Sequence, residues 1–90
     1  MIVKYSPSFL KISKKVDVRI RKSLKEKITI FYHNQNYSLL NNHTLKDEYR
    51  GCRSIDITND WRAIYKEVRI GKEAVAYFIF LGTHKELYKN

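Results

Sequence analysis

Histidine and aspartate side chains stand at several points of the sequence where they could transfer protons. His43 falls in a polar stretch, Asp56 and Asp60 flank a turn, and His84 follows a glycine and a threonine. Histidine exchanges protons near neutral pH because its unperturbed pKa is about 6.5. Such groups can cleave RNA without a metal ion. One of them accepts the proton of the attacking 2′-hydroxyl, a second protonates the leaving 5′-oxygen, and cations stabilise the phosphorane.

A zinc site would be an alternative use of the histidines, and their spacing argues against it. Zinc takes about four ligands, usually as pairs that are close in sequence. His33 and His43 are 10 positions apart, His43 and His84 are 41 positions apart, and Cys52 is the only cysteine. There is also no glycine-rich phosphate loop. The sequence therefore predicts neither a metal nor a cofactor, and it predicts that Cys52 is a small buried apolar residue.

The charge balance suggests a polyanionic partner. The chain has 18 Lys and Arg against nine Asp and Glu, a formal net charge of +9. Neutralising phosphates with cations releases counterions, which favours nucleic-acid binding. Lysines that serve only solubility are an alternative, whereas a membrane-surface peptide is disfavoured because the cations are spread along the whole chain. The side chains expected to contact RNA are Lys46, Arg50, Arg53, Trp61, Arg62 and Tyr88.

Two of these RNA-contact residues have an equally plain structural interpretation. Trp61 follows a turn and could belong to the core. Tyr88 could pack the last helical turn against the rest of the domain. Aromatic rings that bind RNA stack on unstacked bases. The sequence leaves both alternatives open for each residue.

The length and composition favour one small globular domain over residues 1–90. A chain of 90 residues buries only about 60% of the surface that its unfolded form exposes, so its core is thin. No apolar run approaches the roughly 20 residues that span a bilayer, and the first five residues are too short and polar for a secretory signal. A lone cysteine excludes an intramolecular disulfide. We therefore expect a cytoplasmic protein without a membrane partner.

The first half of the chain predicts a strand followed by two basic helices. Residues 2–5 form the strand, Ser6 can cap the first helix, and Pro7 suits its first position. An apolar stripe with a spacing of three or four residues then indicates a second helix, which ends near His33. We expect the break between the helices within residues 13–17, and a loop over residues 36–46.

The second half predicts three strands and a final helical turn. The strands are expected at residues 52–57, 61–68 and 74–81, the last of them central because it is apolar on both faces. Gly82 is expected to end that strand. Thr83 and Glu86 fit a capping box for a helical turn over residues 84–88. The predicted fold is α+β, in the order β-α-α-β-β-β, with two basic helices on a twisted, mostly antiparallel sheet.

Three segments together resemble the YafQ branch of the RelE/ParE toxin superfamily. The family patterns are "D-H-x-L", "G-x-R … D-W-x-x-I-Y" and "G-T/S-H-x-x-L-F/Y", and their order and spacing match over nearly the whole chain. The matching segments are Asn42-His43-Thr44-Leu45, Gly51-Cys52-Arg53 through Asp60-Trp61-Arg62-Ala63-Ile64-Tyr65-Lys66, and Gly82-Thr83-His84-Lys85-Glu86-Leu87-Tyr88. The resemblance implies a RelE-like fold and a toxin of a toxin–antitoxin pair.

The resemblance also implies an activity and the roles of individual residues. YafQ-like toxins bind in the ribosomal A site and cut messenger RNA. His43 matches the loop histidine of the family's active site, Asp60 its turn aspartate, and His84 the histidine that is usually assigned as general acid. Tyr88 matches the aromatic residue that stacks on or orients a base, and Arg53 matches the arginine of "G-x-R". The expected partners are messenger RNA, the ribosome and an acidic antitoxin that folds around the basic chain.

Two positions depart from the family pattern. Asp56 stands where YafQ-like toxins have a histidine, and an aspartate there could still accept a proton. Phe80 stands where the family commonly has an arginine that clamps phosphate. Arg62 or Arg53 could replace that cation if its side chain reaches the same face of the sheet.

Three other functions stay open at this point. The first is a ParE-like toxin that acts on DNA gyrase, against which the retained histidines argue. The second is a non-catalytic RNA-binding module on the same fold, which the missing arginine favours. The third is a structural or interaction protein, for which only the general α+β pattern speaks.

Overall fold

Two helices pack side by side against the sheet in a computed structural model that describes residues 1–87. Helix α1 spans Pro7–Lys15 and helix α2 spans Val18–His33. The two residues between them fall within the predicted break, and α2 ends at the predicted residue. A four-residue helix α3, His84–Leu87, ends the described part of the chain. None of these helices is long and apolar enough to span a bilayer.

The start of each long helix is fixed by a short polar side chain. The Ser6 hydroxyl accepts a hydrogen bond from the Phe9 amide at 3.0 Å and donates one to the Ile79 carbonyl at 3.1 Å. Asp17 accepts from the Arg19 amide at 2.6 Å. Both side chains satisfy amides that have no partner within the helix. Ser6 in addition ties the first turn of α1 to the sheet.

Five strands form one sheet. They are β1 (Ile2–Tyr5), β2 (His43–Thr44), β3 (Arg53–Asp56), β4 (Trp61–Ile70) and β5 (Glu73–Thr83). Their order across the sheet is β1-β5-β4-β3-β2. The β1–β5 pair is parallel and the other three pairs are antiparallel. The structure thus confirms the predicted α+β class, the mostly antiparallel sheet and the interior position of β5.

The apolar core has two parts, one on each face of the sheet. The larger part lies between the sheet and the helices α1 and α2. There the Phe31 ring packs edge-on at 4.9 Å from Tyr65 and 5.3 Å from Phe78, measured between ring centroids. The smaller part lies on the opposite face and contains Leu45, Cys52, Ile64 and Leu87. Cys52 is buried as predicted, and the smaller core supports the surface where the candidate residues meet.

Two features of the sheet differ from the sequence-based prediction. The stretch predicted as a loop over residues 36–46 contains β2, whose two polar residues pair with Ser54 and Arg53 and show no apolar alternation. Gly82 does not end β5. It pairs with Arg62 inside the strand, and a Cβ there would lie 3.4 Å from the Glu86 carboxylate. The glycine therefore allows α3 to pack closely against the strand that precedes it.

Candidate active site

A cleft of about 420 Å³ opens on the sheet face opposite α1 and α2. Directly paired residues on neighbouring strands share a face of the sheet. The pairs His43–Ser54, Asp56–Arg62 and Arg62–Gly82 therefore lie on this face. We call it the cleft face. The residues that line the cleft come from β2, the loops beside it, β4 and α3, and they are Asn41, His43, Thr44, Leu45, Lys46, Asp47, Arg62 and His84.

His43 is held with one ring nitrogen satisfied. Its Nδ1 lies 2.8 Å from the main-chain carbonyl of Asn41. Because a carbonyl can only accept a hydrogen bond, the neutral His43 ring must carry its proton on Nδ1. The lone pair of the neutral imidazole is then on Nε2, and the ring is exposed. The arrangement makes His43 able to accept a proton from a ligand in the cleft.

The main chain fixes the position of His84. Its amide donates to the Asp60 carbonyl at 2.7 Å. The predicted capping box is present: the Glu86 amide donates to the Thr83 hydroxyl at 3.1 Å, and the Thr83 amide donates to the Glu86 carboxylate at 2.9 Å. These contacts set the first turn of α3 at the end of β5. The fold thereby brings His84 and His43, which are far apart in sequence, to the same cleft.

Arg62 supplies a firmly held cation to the cleft. Its Nη1 donates to the Thr58 carbonyl at 2.8 Å and to the Trp61 carbonyl at 3.1 Å. Its Nε lies 3.0 Å from the Asp56 Oδ1. The two atoms are close, but the Asp56 Oδ1 is buried and accepts no hydrogen bond from any group within residues 1–87. We therefore describe the Asp56–Arg62 contact as a charge pair.

Lys46 and Asp47 complete the charged lining of the cleft. Both residues are exposed, and Lys46 was expected at the RNA surface. Asp47 has a φ of +56° and Asn41 a φ of +47°, in the left-handed region that non-glycine residues seldom occupy. Both strained residues therefore lie at the cleft, on either side of β2. Backbone strain of this kind is often concentrated at functional sites.

The chain resembles known toxin structures, although no protein-family model and no curated protein matches it. YafQ from E. coli strain BL21(DE3) is 27% identical, with a TM-score of 0.74 over 96% of each chain. The E. coli DinJ–YafQ toxin–antitoxin complex matches at 26% identity, with a TM-score of 0.66 over 96% of this chain and 94% of that one. A YoeB/ParE toxin from Agrobacterium tumefaciens shares the fold at 21% identity, with a TM-score of 0.73 over 93% and 99% of the two chains.

The chain is similar to YafQ-type toxins in both sequence and fold. The predicted RelE-like fold is confirmed by these structures together with the observed topology. Within this YafQ-like fold, the residues of the first and third sequence motifs meet at the cleft. Gly82, the first residue of the third motif, lies on the cleft face beside Arg62.

Two predicted RNA-contact residues lie on the other face of this YafQ-like sheet. Arg53 pairs with the buried Tyr65, and its Nε donates to the Asn42 Oδ1 at 2.8 Å. Asn42 in turn donates to the Tyr65 hydroxyl at 2.8 Å. Trp61 packs against the larger core, as its structural interpretation predicted. Arg53 therefore cannot supply the cation that is missing at Phe80, whereas Arg62 shares the face of Phe80.

Three further expected site residues, Asp60, Arg50 and Asp56, are not among the residues that line the cleft. Asp60 is exposed in the turn before β4, and its main-chain carbonyl is what contacts His84. Arg50 is exposed beyond the short 3₁₀ turn Asp47–Tyr49. Tyr88 lies outside the described residues. Asp56 is half-buried beside Arg62 on the cleft face.

Sequence reasoning missed two residues of the cleft. Asn41 and Asp47 line it, and neither belongs to a motif. The one signal was their residue type, since Asn and Asp tolerate the left-handed region better than other side chains. Within residues 1–87, no group of three or more His, Cys, Asp or Glu is placed to hold a metal ion.

Proposed function

We propose that the chain is the toxin of a toxin–antitoxin pair and acts as a metal-independent endoribonuclease on messenger RNA in the ribosomal A site. The observation that carries the proposal is the meeting of His43, His84, Lys46 and Arg62 in one cleft. A proton acceptor, a proton donor and two cations are what cleavage by the 2′-hydroxyl requires. Ribosomes and messenger RNA place this activity in the cytoplasm.

The geometry supports His43 as the general base. Its neutral ring keeps the Nε2 lone pair because the Asn41 carbonyl holds the proton on Nδ1. Nε2 accepts the proton of the RNA 2′-hydroxyl while the 2′-oxygen forms a bond to the adjacent phosphorus. The negative charge that accumulates on the phosphorane oxygens is stabilised by Lys46 and Arg62.

His84 completes the reaction as the general acid. In its protonated form it donates a proton to the 5′-oxygen as the bond from phosphorus to that oxygen breaks. The products are a 2′,3′-cyclic phosphate, which water can open to a 3′-phosphate, and a 5′-hydroxyl end. One proton enters at His43 and one leaves from His84, so a further exchange with solvent restores both histidines.

The net charge supports binding to ribosomal RNA and to an acidic antitoxin. A charge of +9 gives phosphate contacts without sequence preference. The same charge is complementary to an acidic segment that folds on binding. The E. coli YafQ structure with DinJ makes a cognate antitoxin the expected partner here.

The test of this proposal is single-turnover cleavage with purified protein. Defined ribosomes carrying a messenger RNA with an open A site are mixed with the chain in the presence of EDTA at a level that spares the ribosome. Cleavage between A-site nucleotides, with a 5′-hydroxyl on the downstream fragment, is expected. Tight ribosome binding without cleavage would instead indicate a non-catalytic RNA-binding protein, and inhibition of gyrase supercoiling would indicate a ParE-like toxin.

A further inference from the structure

The charge pair between Asp56 and Arg62 holds the Arg62 guanidinium in place beside the cleft. Resting on the function proposed above, we infer that Arg62 binds the scissile phosphate through its Nη2 amino group and that Asp56 is the positioning residue for Arg62. Asp56 does not accept the 2′-hydroxyl proton in this arrangement. The inference assigns different roles to two charged residues that are adjacent on the cleft face.

The hydrogen bonds of Arg62 leave one edge of its guanidinium available. Nη1 is occupied by the carbonyls of Thr58 and Trp61, and Nε faces Asp56. Nη2 makes no hydrogen bond to any residue in the described part of the chain, residues 1–87. A guanidinium carries its five N–H groups in a fixed fork, so anchoring two nitrogens fixes the direction of the third. The free N–H pair is the geometry that binds a phosphate oxygen.

The surroundings of Arg62 favour its use as the phosphate cation. Its side chain is 15% exposed, so a charge contact there is screened less than one at the surface. Arg62 pairs with Gly82, which places no side chain beside the guanidinium. Phe80 is the diagonal neighbour of Arg62, since Phe80 pairs with Ile64. Diagonal neighbours are about 7–8 Å apart, a distance that a long side chain covers.

Asp56 is placed to hold Arg62 and not to reach the RNA. A general base must come within about 2.6–3.2 Å of the proton that it takes. Asp56 is not among the residues that line the cleft, whereas Arg62 is. The Oδ1 of Asp56 is buried and lies against the Arg62 Nε. The Asp56 side chain is 27% exposed as a whole, and it balances the charge of Arg62 through the oxygen that is buried.

Substitutions separate positioning from proton transfer. Asp56→Asn keeps an oxygen for the Arg62 Nε but cannot act as a base. A positioning role predicts a single-turnover cleavage rate lowered about three- to tenfold, because the neutral amide lacks the charge that attracts the guanidinium. Arg62→Ala is expected to lower the rate about 10²-fold, the usual loss when one stabilising donor is removed. Asp56→Ala in the Arg62→Ala background should then have no further effect.

The pH dependence distinguishes the two roles of Asp56 again. With a positioning role, Asp56→Asn retains the acidic limb of the pH–rate profile, because another group accepts the proton. A loss of about 10²–10⁴-fold in Asp56→Asn, with disappearance of that limb, would overturn the inference. So would a further loss when Asp56→Ala is added to Arg62→Ala.

RNA binding tests the inference even if the wild type cleaves nothing. The probe is a short single-stranded RNA with 2′-O-methyl groups, which cannot be cleaved, titrated at several salt concentrations. Arg62→Ala should weaken binding and reduce the salt slope by about 0.7, the value for one phosphate contact on a single strand. The matched control is Arg69→Ala, an exposed arginine at the other end of β4. Equal slopes in the two variants would overturn the role of Arg62. A wild-type protein that leaves messenger RNA on the ribosome uncut would overturn only the proposed function.

Discussion

The main-chain amide of His84 donates a 2.7 Å hydrogen bond to the main-chain carbonyl of Asp60. This contact joins the first residue of α3 to the turn before β4. Two sequence motifs that are separated by the whole of β4 and β5 therefore meet through their backbones. The turn aspartate, expected to be catalytic, contributes a carbonyl that sets the position of His84, the proposed general acid.

Replacing the Asp60 side chain tests this backbone role. Asp60→Ala keeps the carbonyl that binds the His84 amide, and Asp60 is exposed. Surface substitutions that leave the main chain intact usually change energies by about 0.5 kcal/mol or less. We therefore expect single-turnover cleavage within about threefold of wild type, as for the neighbouring Asn59→Ala. A loss of about 10²-fold or more in Asp60→Ala alone would show that its carboxylate takes part in catalysis.

Replacing His43 tests its proposed role as the general base. His43→Ala is expected to lower the single-turnover rate about 10²–10⁴-fold and to flatten the acidic limb of the pH–rate profile. His33→Ala is the matched control, because His33 is an exposed histidine at the end of α2. The assignment of the base to His43 would be wrong if both variants cleaved equally well.

Arg53 is expected to act in stability and not in RNA binding. Its side chain donates to Asn42, which donates to the Tyr65 hydroxyl. Arg53→Ala leaves the Asn42 oxygen without this donor, and we expect the free energy of unfolding to fall by about 1–3 kcal/mol in urea titrations. The salt slope for RNA binding should stay at the wild-type value. Arg53→Lys keeps the charge, so weak RNA binding in Arg53→Ala that Arg53→Lys restores would contradict this structural role.

The Tyr65 hydroxyl should make stability depend on alkaline pH. Burial raises the pKa of Tyr65 above its ordinary value of 10.0, outweighing the opposing effects of Asn42 and Arg53. The folded protein thus holds this proton more tightly than the unfolded chain. Its contribution to stability is complete below pH 10 and is lost as the pH rises through the folded-state pKa.

Tyr65→Phe provides the measurement for that linkage. The variant lacks the hydroxyl that accepts from Asn42 and should be less stable by about 1 kcal/mol near pH 8. In urea titrations at pH 8, 10 and 11, the difference from wild type should shrink as the pH rises, because only the wild type carries the titrating group. A difference that stays constant over this range would exclude Tyr65 as a source of alkaline instability.

Much of the fold could be predicted because its signals are local. Ser6 and Asp17 mark helix starts by side-chain hydrogen bonds to nearby amides, and Thr83 with Glu86 marks the start of α3. Such caps depend on residues within one turn of the helix. Strand β2 could not be predicted, because two polar residues show no periodicity and pair only once β3 is in place.

The candidate site was predictable only in part, since its geometry depends on register. His43 and His84 were expected from motifs, and both line the cleft. Alternation along β3 is enough to place Arg53 on the face opposite Asp56. Whether Arg62 shares the face of Asp56 depends on the pairing of β3 with β4, which the sequence does not specify. The left-handed conformations of Asn41 and Asp47 likewise follow from the surrounding structure. Gly82, which pairs with Arg62 on the cleft face, was predicted to end a strand that in fact continues through it.

The decisive measurement is cleavage mapping by primer extension on a defined messenger RNA, translated in a purified system with wild type and His84→Ala side by side. The wild type should give discrete in-frame cuts that require ribosomes. His84→Ala should bind ribosomes normally and cut about 10²–10⁴-fold more slowly. Equal cutting by the two proteins would contradict the role of His84, and no cutting by either, at levels that still stop growth, would contradict the proposed endoribonuclease activity.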